Sequence, residues 1–92
     1  MAKKQFFARI YGQVQGVGFR FFALDIANEF GLDGYVRNTP DDAVEVCAEG
    51  EESDLEEFLQ LLKQGPRSAQ VTNMDVSWGS ARGAYHGFHV RL

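Results

Sequence analysis

The sequence predicts an α+β fold in which two helices cover one face of an antiparallel sheet. Several segments alternate between apolar and polar residues, as half-buried strands do. Two further segments carry apolar residues at helical spacing. Their order along the chain is β-α-β-β-α-β followed by a short last strand, which is the split βαβ, ferredoxin-like arrangement.

The first strand and the first helix are predicted from a change in the apolar period. Residues 5–11 alternate, and we expect Phe6, Ala8 and Ile10 to face the core. Beyond a glycine-containing loop, a stripe at helical spacing is formed by Phe19, Phe22, Ala23, Ile26, Ala27 and Phe30. Gly31 suits the position just after a helix, where a left-handed backbone is common.

A hairpin is predicted next. Residues 32–38 and 44–49 have the pattern of strands, and residues 40–43 supply a turn with a proline at an early position. In the third strand the polar positions alternate with valine and alanine. We therefore expect Cys47 to be partly exposed and Glu49 to belong to a solvated acidic run.

The second helix is predicted to start at a capping box formed by Ser53 and Glu56 and to end at Gly65-Pro66. Its apolar stripe consists of Leu55, Phe58, Leu59 and Leu62. Residues 70–79 alternate as a fourth strand, in which the tryptophan is expected to pack on the sheet. A loop over residues 80–84, which we expect to be mobile, leads to the last strand.

Length and composition predict a single, free-standing domain spanning residues 1–92, with enough hydrophobic residues (45%) to argue against disorder. One cysteine excludes an internal disulfide. No apolar run reaches the length of a signal peptide or a membrane span, so we expect a cytoplasmic location. The net charge of -4 argues against nucleic acid and anionic membranes as partners, and we expect a monomer.

The loop between the first strand and the first helix predicts an anion site. Its glycines permit a tight turn, and the first N–H groups of a helix lack intrahelical partners and carry its positive dipole end. Arg20 adds a cation there, which costs roughly 0.3–1 kcal/mol unless an anion compensates. We predict that Arg20 binds a phosphate together with the backbone of Gln15, Gly16, Val17, Gly18 and Phe19. The alternative is a tight turn with an exposed arginine and no ligand.

The loop matches no nucleotide-binding motif. Gly16-Val17-Gly18 lacks the third glycine of GxGxxG, and the chain has no Gly-Lys pair for GxxxxGK[ST]. No cysteine heads the loop, which excludes a covalent phosphocysteine there.

Three motifs of the chain resemble those of the acylphosphatase family. They are Val14-Gln15-Gly16-Val17-Gly18-Phe19-Arg20, Gly31-Leu32-Asp33-Gly34-Tyr35-Val36-Arg37-Asn38 and Gly65-Pro66-Arg67-Ser68-Ala69-Gln70-Val71. The resemblance implies a small hydrolase of acyl phosphates, in which Arg20 binds phosphate and Asn38 positions water. The family usually has Asp-Gly before Val-Glu in the next turn, where this chain has Asp41-Asp42-Ala43-Val44-Glu45.

The predicted topology brings Arg20 and Asn38 to one edge of the sheet. The first two strands of a split βαβ unit run parallel on either side of the third, so their C-terminal ends lie roughly 10 Å apart. Arg20 can hold two phosphate oxygens at once. Asn38 is neutral, so it can orient a water but cannot act as a general base.

The substrate class follows from the lack of a general acid. No His, Asp or Glu lies between Gly12 and Arg20. A carboxylate leaving from an acyl phosphate needs no proton, because its conjugate acid has a pKa of about 4. We therefore predict metal-free hydrolysis of mixed carboxylic–phosphoric anhydrides, with no cofactor. The only two histidines, His86 and His89, lack neighbours suited to metal binding.

Two other functions stay open at this point. One is a non-catalytic ligand- or RNA-binding module on the same fold, which the acidic third strand does not favour. The other is a family-like domain that serves a larger carbamoyl-transfer machine. We also consider that the hydroxyl of Thr39 steadies the side chain of Asn38.

Overall fold

A computed structural model describes residues 3–92 of the chain, and its elements follow the predicted order. They are β1 (Lys3–Gln13), α1 (Phe19–Glu29), β2 (Asp33–Asn38), β3 (Val44–Glu51), α2 (Glu52–Gln64), β4 (Gln70–Ser80) and β5 (Phe88–Arg91). All strands lie in one sheet of order β4-β1-β3-β2-β5. The α+β class and the ferredoxin-like arrangement are thereby confirmed. Neither helix in this part of the chain has the length and apolarity needed to cross a membrane.

The sheet is mixed, whereas the sequence predicts an antiparallel one. The pairs β1–β3, β1–β4 and β2–β3 are antiparallel, but β5 runs parallel to β2, with Gly34 opposite Phe88. β4 ends beside Lys4 and β2 begins beside the end of β3, so both lie at the same edge of the sheet. The loop over residues 81–87 follows that edge and therefore lays β5 alongside β2 in the same direction.

The core lies between the two helices and one face of the sheet. Its fully buried side chains include the predicted alternating and helical positions Phe6, Ala8, Ile10, Phe19, Ala23, Ala27, Val44, Val46, Ala48, Leu55, Phe58 and Leu62. The ring of Phe58 lies 5.9 Å from that of Phe6 and 5.9 Å from that of Phe88, so it joins α2 to a central and an edge strand. The ring of Trp78 lies 5.7 Å from that of Phe6, as expected for packing on the sheet.

The C-terminal end of α1 agrees with the sequence prediction, whereas the N-terminal start of α2 does not. At the end of α1, Leu32 N–H donates to Ala27 O (2.9 Å) and Gly31 N–H to Asn28 O (3.1 Å), which is the predicted glycine-dependent ending. The predicted capping box at the start of α2 is wrong, because no side chain caps that helix. β3 continues through the glycine at position 50, and the helix starts directly after the strand at residue 52.

The loop over residues 81–87 covers part of the open face of the sheet and buries Glu49. This side chain is only 4% exposed, so its predicted solvation is wrong. Its carboxylate accepts hydrogen bonds from Gln5 Nε2 (2.7 Å) and from the backbone N–H groups of Arg82 (2.9 Å) and Gly83 (3.1 Å). The loop that the sequence predicts to be mobile is thus anchored to the centre of the sheet.

The same loop buries Cys47, which the sequence predicts to be partly exposed. The cysteine is 4% exposed, and its Sγ lies 3.8 Å from the hydroxyl of Tyr85. The Tyr85 ring in turn packs 5.9 Å from that of Tyr35. Burial raises the pKa of the Cys47 thiol, which disfavours the reactive thiolate.

Candidate active site

The strand register places the ends of β1 and β2 beside each other across β3. Ile10 of β1 and Asn38 of β2 both lie opposite Val44 of β3, so the three form one row. Two strand spacings make this row roughly 10 Å wide. Asn38 shares the face of Val36, which is the face that the helices cover. The loop after β1 therefore begins at the same edge of the sheet at which β2 ends with Asn38.

The backbone of this loop turns at two left-handed glycines. Gly16 and Gly18 have φ values of 72° and 77°, whereas Val17 between them keeps a negative φ. Left-handed glycines alternating with right-handed residues can turn successive N–H groups towards a common side, as in anion-binding concavities. A Cβ on either glycine would meet nothing within 4 Å, so the backbone conformation, rather than a lack of space, favours glycine here.

The start of α1 leaves a positive end without a compensating group. Gly18 is the N-cap, with no side-chain cap, and the first turn contains no acidic residue. Arg20 lies in that first turn, and none of the ion pairs among residues 3–92 involves it. The first turn of α1 thus combines unpaired N–H groups, the positive end of the helix dipole and an arginine, which favours an anion.

Buried side chains fix the loop at both ends. Val14 and Phe19 are each 1% exposed and anchor the loop in the core, while Gly16 and Gly18 between them stay exposed. Outside the loop, Ser68 Oγ donates to Val17 O at 2.9 Å. These contacts therefore fix the loop in place while the backbone of its two glycines stays exposed to solvent.

Within the described part of the chain, the side-chain oxygen of Asn38 lacks a hydrogen-bond donor. This Oδ1 atom is buried, yet no group among residues 3–92 donates a hydrogen bond to it. A buried amide oxygen without a donor is unfavourable unless a water or a ligand supplies one. The residue predicted to position water therefore has a free acceptor at the predicted edge.

The expected contact between Thr39 and Asn38 is absent. Thr39 Oγ1 accepts a hydrogen bond from Ala43 N–H (3.0 Å) and donates to Asp41 Oδ1. Thr39 N–H also donates to Ala43 O at 2.9 Å. The hydroxyl thus stabilises its own turn and does not reach Asn38, so this interpretation is wrong.

Asp42 has a left-handed backbone in the turn between β2 and β3, where the chain has Asp42-Ala43 in place of the family's Asp-Gly. Its φ of 69° makes it the only residue other than glycine with a positive φ among residues 3–92. Asp42 also borders a shallow depression of about 390 Å³, together with residues of the 12–17 loop. The turn therefore places an aspartate in a backbone conformation that glycine adopts more readily.

The side chain of Gln15 joins the loop to the β2–β3 turn. Its Nε2 atom donates to the carbonyl oxygens of Thr39 and Ala43, both at 2.8 Å. The sequence predicts a role only for the backbone of Gln15, because nothing in the local pattern shows where its side chain reaches.

Charged groups around the buried Glu45 lie on the face of the sheet opposite Asn38. The carboxylate of Glu45, 5% exposed, accepts hydrogen bonds from Tyr35 Oη (2.6 Å) and Arg37 Nε (2.9 Å) and lies 3.7 Å from Arg9 Nη2. Burial opposes ionisation of Glu45, but these hydrogen bonds outweigh it and lower the carboxyl pKa. Burial and the bond to Glu45 raise the pKa of the Tyr35 hydroxyl.

Comparison with known proteins places the chain in a family. The acylphosphatase family model matches residues 6–90. The chain belongs to the acylphosphatase family. An acylphosphatase of Thermus thermophilus is 54% identical over 90% of this chain and 93% of its own length. The predicted acylphosphatase family and enzyme class are thereby confirmed.

Solved structures of similar proteins share the fold. The crystal structure of acylphosphatase from Bacillus subtilis, 35% identical, superposes with a TM-score of 0.93 over 97% of this chain and 99% of that chain. A structure of full-length HypF in the phosphate- and nucleotide-bound form, 31% identical, superposes with a TM-score of 0.89 over 98% of this chain, but over only 12% of its own.

Proposed function

We propose that this member of the acylphosphatase family hydrolyses acyl phosphates to a carboxylate and inorganic phosphate without a metal ion or cofactor. Arg20 and the backbone N–H groups of Gln15, Gly16, Val17, Gly18 and Phe19 hold the phosphate, and Asn38 positions the water. The observation that carries this proposal is that the uncompensated start of α1 and the unpartnered Oδ1 of Asn38 lie at one sheet edge.

Phosphate binding uses groups that are already oriented. The guanidinium of Arg20 can form two parallel hydrogen bonds to phosphate oxygens, and the loop N–H groups add further donors. Phosphoryl transfer depends mainly on positioning and on stabilising charge at the equatorial oxygens. Donors held in place before the substrate arrives need no reorganisation during the reaction, which is where such sites gain most of their rate.

Asn38 acts on the attacking water. Its Oδ1 accepts a hydrogen bond from that water, which then attacks phosphorus opposite the acyl oxygen. As the bond from water oxygen to phosphorus forms, the bond from phosphorus to the acyl oxygen breaks, and the carboxylate leaves with the electron pair. The proton of the water passes to an oxygen of the substrate's own phosphate, so no general base of the protein is required.

The leaving group explains why a site without a general acid suffices. A departing carboxylate is stable unprotonated at neutral pH, because the pKa of its conjugate acid is about 4. The loop offers no His, Asp or Glu that could protonate a departing alcohol. Acyl phosphates therefore suit this site better than phosphate monoesters.

Two variants test the assignment with an aromatic acyl phosphate as substrate, in the presence and absence of a chelator. Arg20→Lys should weaken both phosphate inhibition and turnover, because an ammonium cannot form the bidentate contact. Asn38→Ala should retain phosphate inhibition but lower kcat by about 10²-fold or more. The matched controls are Arg82→Lys, in the loop at the other end of the sheet, and Asn28→Ala, near the C-terminal end of α1, both at exposed positions. Parent-like hydrolysis by both site variants, or loss of activity with chelator, would contradict the proposal.

We further infer that residues 1–92 form a single domain that acts as a cytoplasmic monomer and does not bind nucleic acid. The net charge of -4 supports the last point, since nucleic acids attract basic surfaces. The non-catalytic binding module considered from the sequence is not favoured, because the family is one of enzymes. Light scattering should give the mass of one chain, and a dimer mass would contradict the monomer.

A further inference from the structure

The side chain of Gln15 spans the gap between the phosphate loop and the β2–β3 turn. Its Nε2 donates to Thr39 O and Ala43 O, each at 2.8 Å. Since both partners are carbonyl oxygens, the amide nitrogen must face them. A primary amide has only two N–H donors, and both are engaged. Only the backbone N–H of Gln15 is therefore left for an anion.

The two carbonyls belong to the pair of residues that close the turn after Asn38. Thr39 N–H donates to Ala43 O at 2.9 Å, so a group bound to both carbonyls fixes the base of this turn. Thr39 directly follows Asn38, which ends β2. Gln15 thus sets the position of the backbone of Asn38 relative to the loop.

We infer, on the basis of the proposed function, that Gln15 is a positioning residue that holds the phosphate loop at a fixed separation from Asn38. The phosphate-binding groups all belong to the loop and α1, whereas the water-positioning group belongs to β2. Loss of the hydrogen bonds from the Gln15 side chain leaves the phosphate-binding groups intact but shifts them relative to Asn38. A misplacement of about 1 Å can lower a rate by up to about 10²-fold. Turnover should therefore depend on Gln15 more than phosphate binding does.

Removing the Gln15 amide should not prevent folding. Thr39 O also accepts a hydrogen bond from Asp42 N–H (3.3 Å), and Ala43 O also accepts one from Thr39 N–H. Neither carbonyl would be left without a donor, which is the usual cause of large losses on deleting a buried hydrogen bond. Gln15→Met keeps the length of the side chain and removes only its polar end.

The experiment measures kcat, KM, inhibition by inorganic phosphate and the thermal midpoint for Gln15→Met. The control is Gln60→Met, at an exposed position of α2. We expect kcat to fall about tenfold while the inhibition constant of phosphate changes less than about threefold. In the Asn38→Ala background the same change should lower kcat less than about twofold, because the group that it positions is gone. If Gln15→Met unfolds at the assay temperature, Gln15→Asn, too short to reach both carbonyls, takes its place.

Three results would overturn the role of Gln15. They are an unchanged kcat, a rise in the phosphate inhibition constant that matches the fall in kcat, and full additivity with Asn38→Ala. Any of these, with Arg20→Lys and Asn38→Ala impaired as expected, leaves the proposed function intact. Parent-like activity of Arg20→Lys and Asn38→Ala would instead overturn the proposed function itself.

Discussion

At the scale of single residues, Asp42 holds a backbone conformation that glycine adopts more readily. Its φ of 69° lies in the left-handed region, and its side chain is exposed. That region costs most L-residues roughly 1–2 kcal/mol, and aspartate somewhat less. Asp42→Gly should therefore raise the free energy of unfolding by about 0.5–1 kcal/mol, as measured by urea denaturation.

The neighbouring aspartate supplies the control for this prediction. The carboxylate of Asp41 accepts a hydrogen bond from Thr39 and lies 3.3 Å from Arg9 Nη1. Asp41→Gly removes these contacts without relieving strain, so it should lower stability. Equal effects of the two substitutions would show that the left-handed conformation of Asp42 has no measurable cost.

At the scale of elements, Glu45 links β3 to β2 through hydrogen bonds and to β1 through an ion pair with Arg9. Its pKa in the folded state lies below its ordinary value of about 4.3, because the bonds from Arg37 and Tyr35 outweigh burial. The stabilisation is therefore fully present above that ordinary pKa and is lost as the pH falls through the lowered folded pKa. Acid should destabilise the sheet partly through this one group.

The variant Glu45→Gln tests this contribution by urea unfolding between pH 7 and pH 3. At pH 7 the variant should be less stable than the parent by about 1–3 kcal/mol, since Arg37 loses its charged acceptor. The difference should shrink as the pH falls below about 4. A difference that is the same at every pH would mean that the charge of Glu45 does not contribute.

At the scale of the whole molecule, the sequence predicts the core and the shared edge of the site because both follow from repeated local patterns. The alternation of residues 5–11 and the helical stripe of residues 19–30 identify the buried faces without any tertiary information. The parallel course of β1 and β2 follows from the split βαβ order, and it brings the ends of these strands to one edge.

What the sequence does not predict depends on contacts between distant residues. The residues of the short β5 do not indicate that this strand runs parallel to β2. Alternation along β3 does not show that the 81–87 loop will cover Glu49 and Cys47. The capping box fails because pairing of Lys3 and Lys4 with the end of β3 extends that strand up to the start of α2. The side chain of Gln15 bonds to residues of another turn, which no local rule reveals.

The most direct test of the site is the stabilisation of the whole protein by inorganic phosphate, followed by thermal unfolding against sodium chloride of equal ionic strength. A ligand that binds only the folded state adds about 2.7 kcal/mol at a concentration of 100 Kd. The parent and Asn38→Ala should both gain this stabilisation, whereas Arg20→Lys should gain much less. Equal stabilisation of Arg20→Lys and the parent would contradict the assignment of the phosphate site to Arg20.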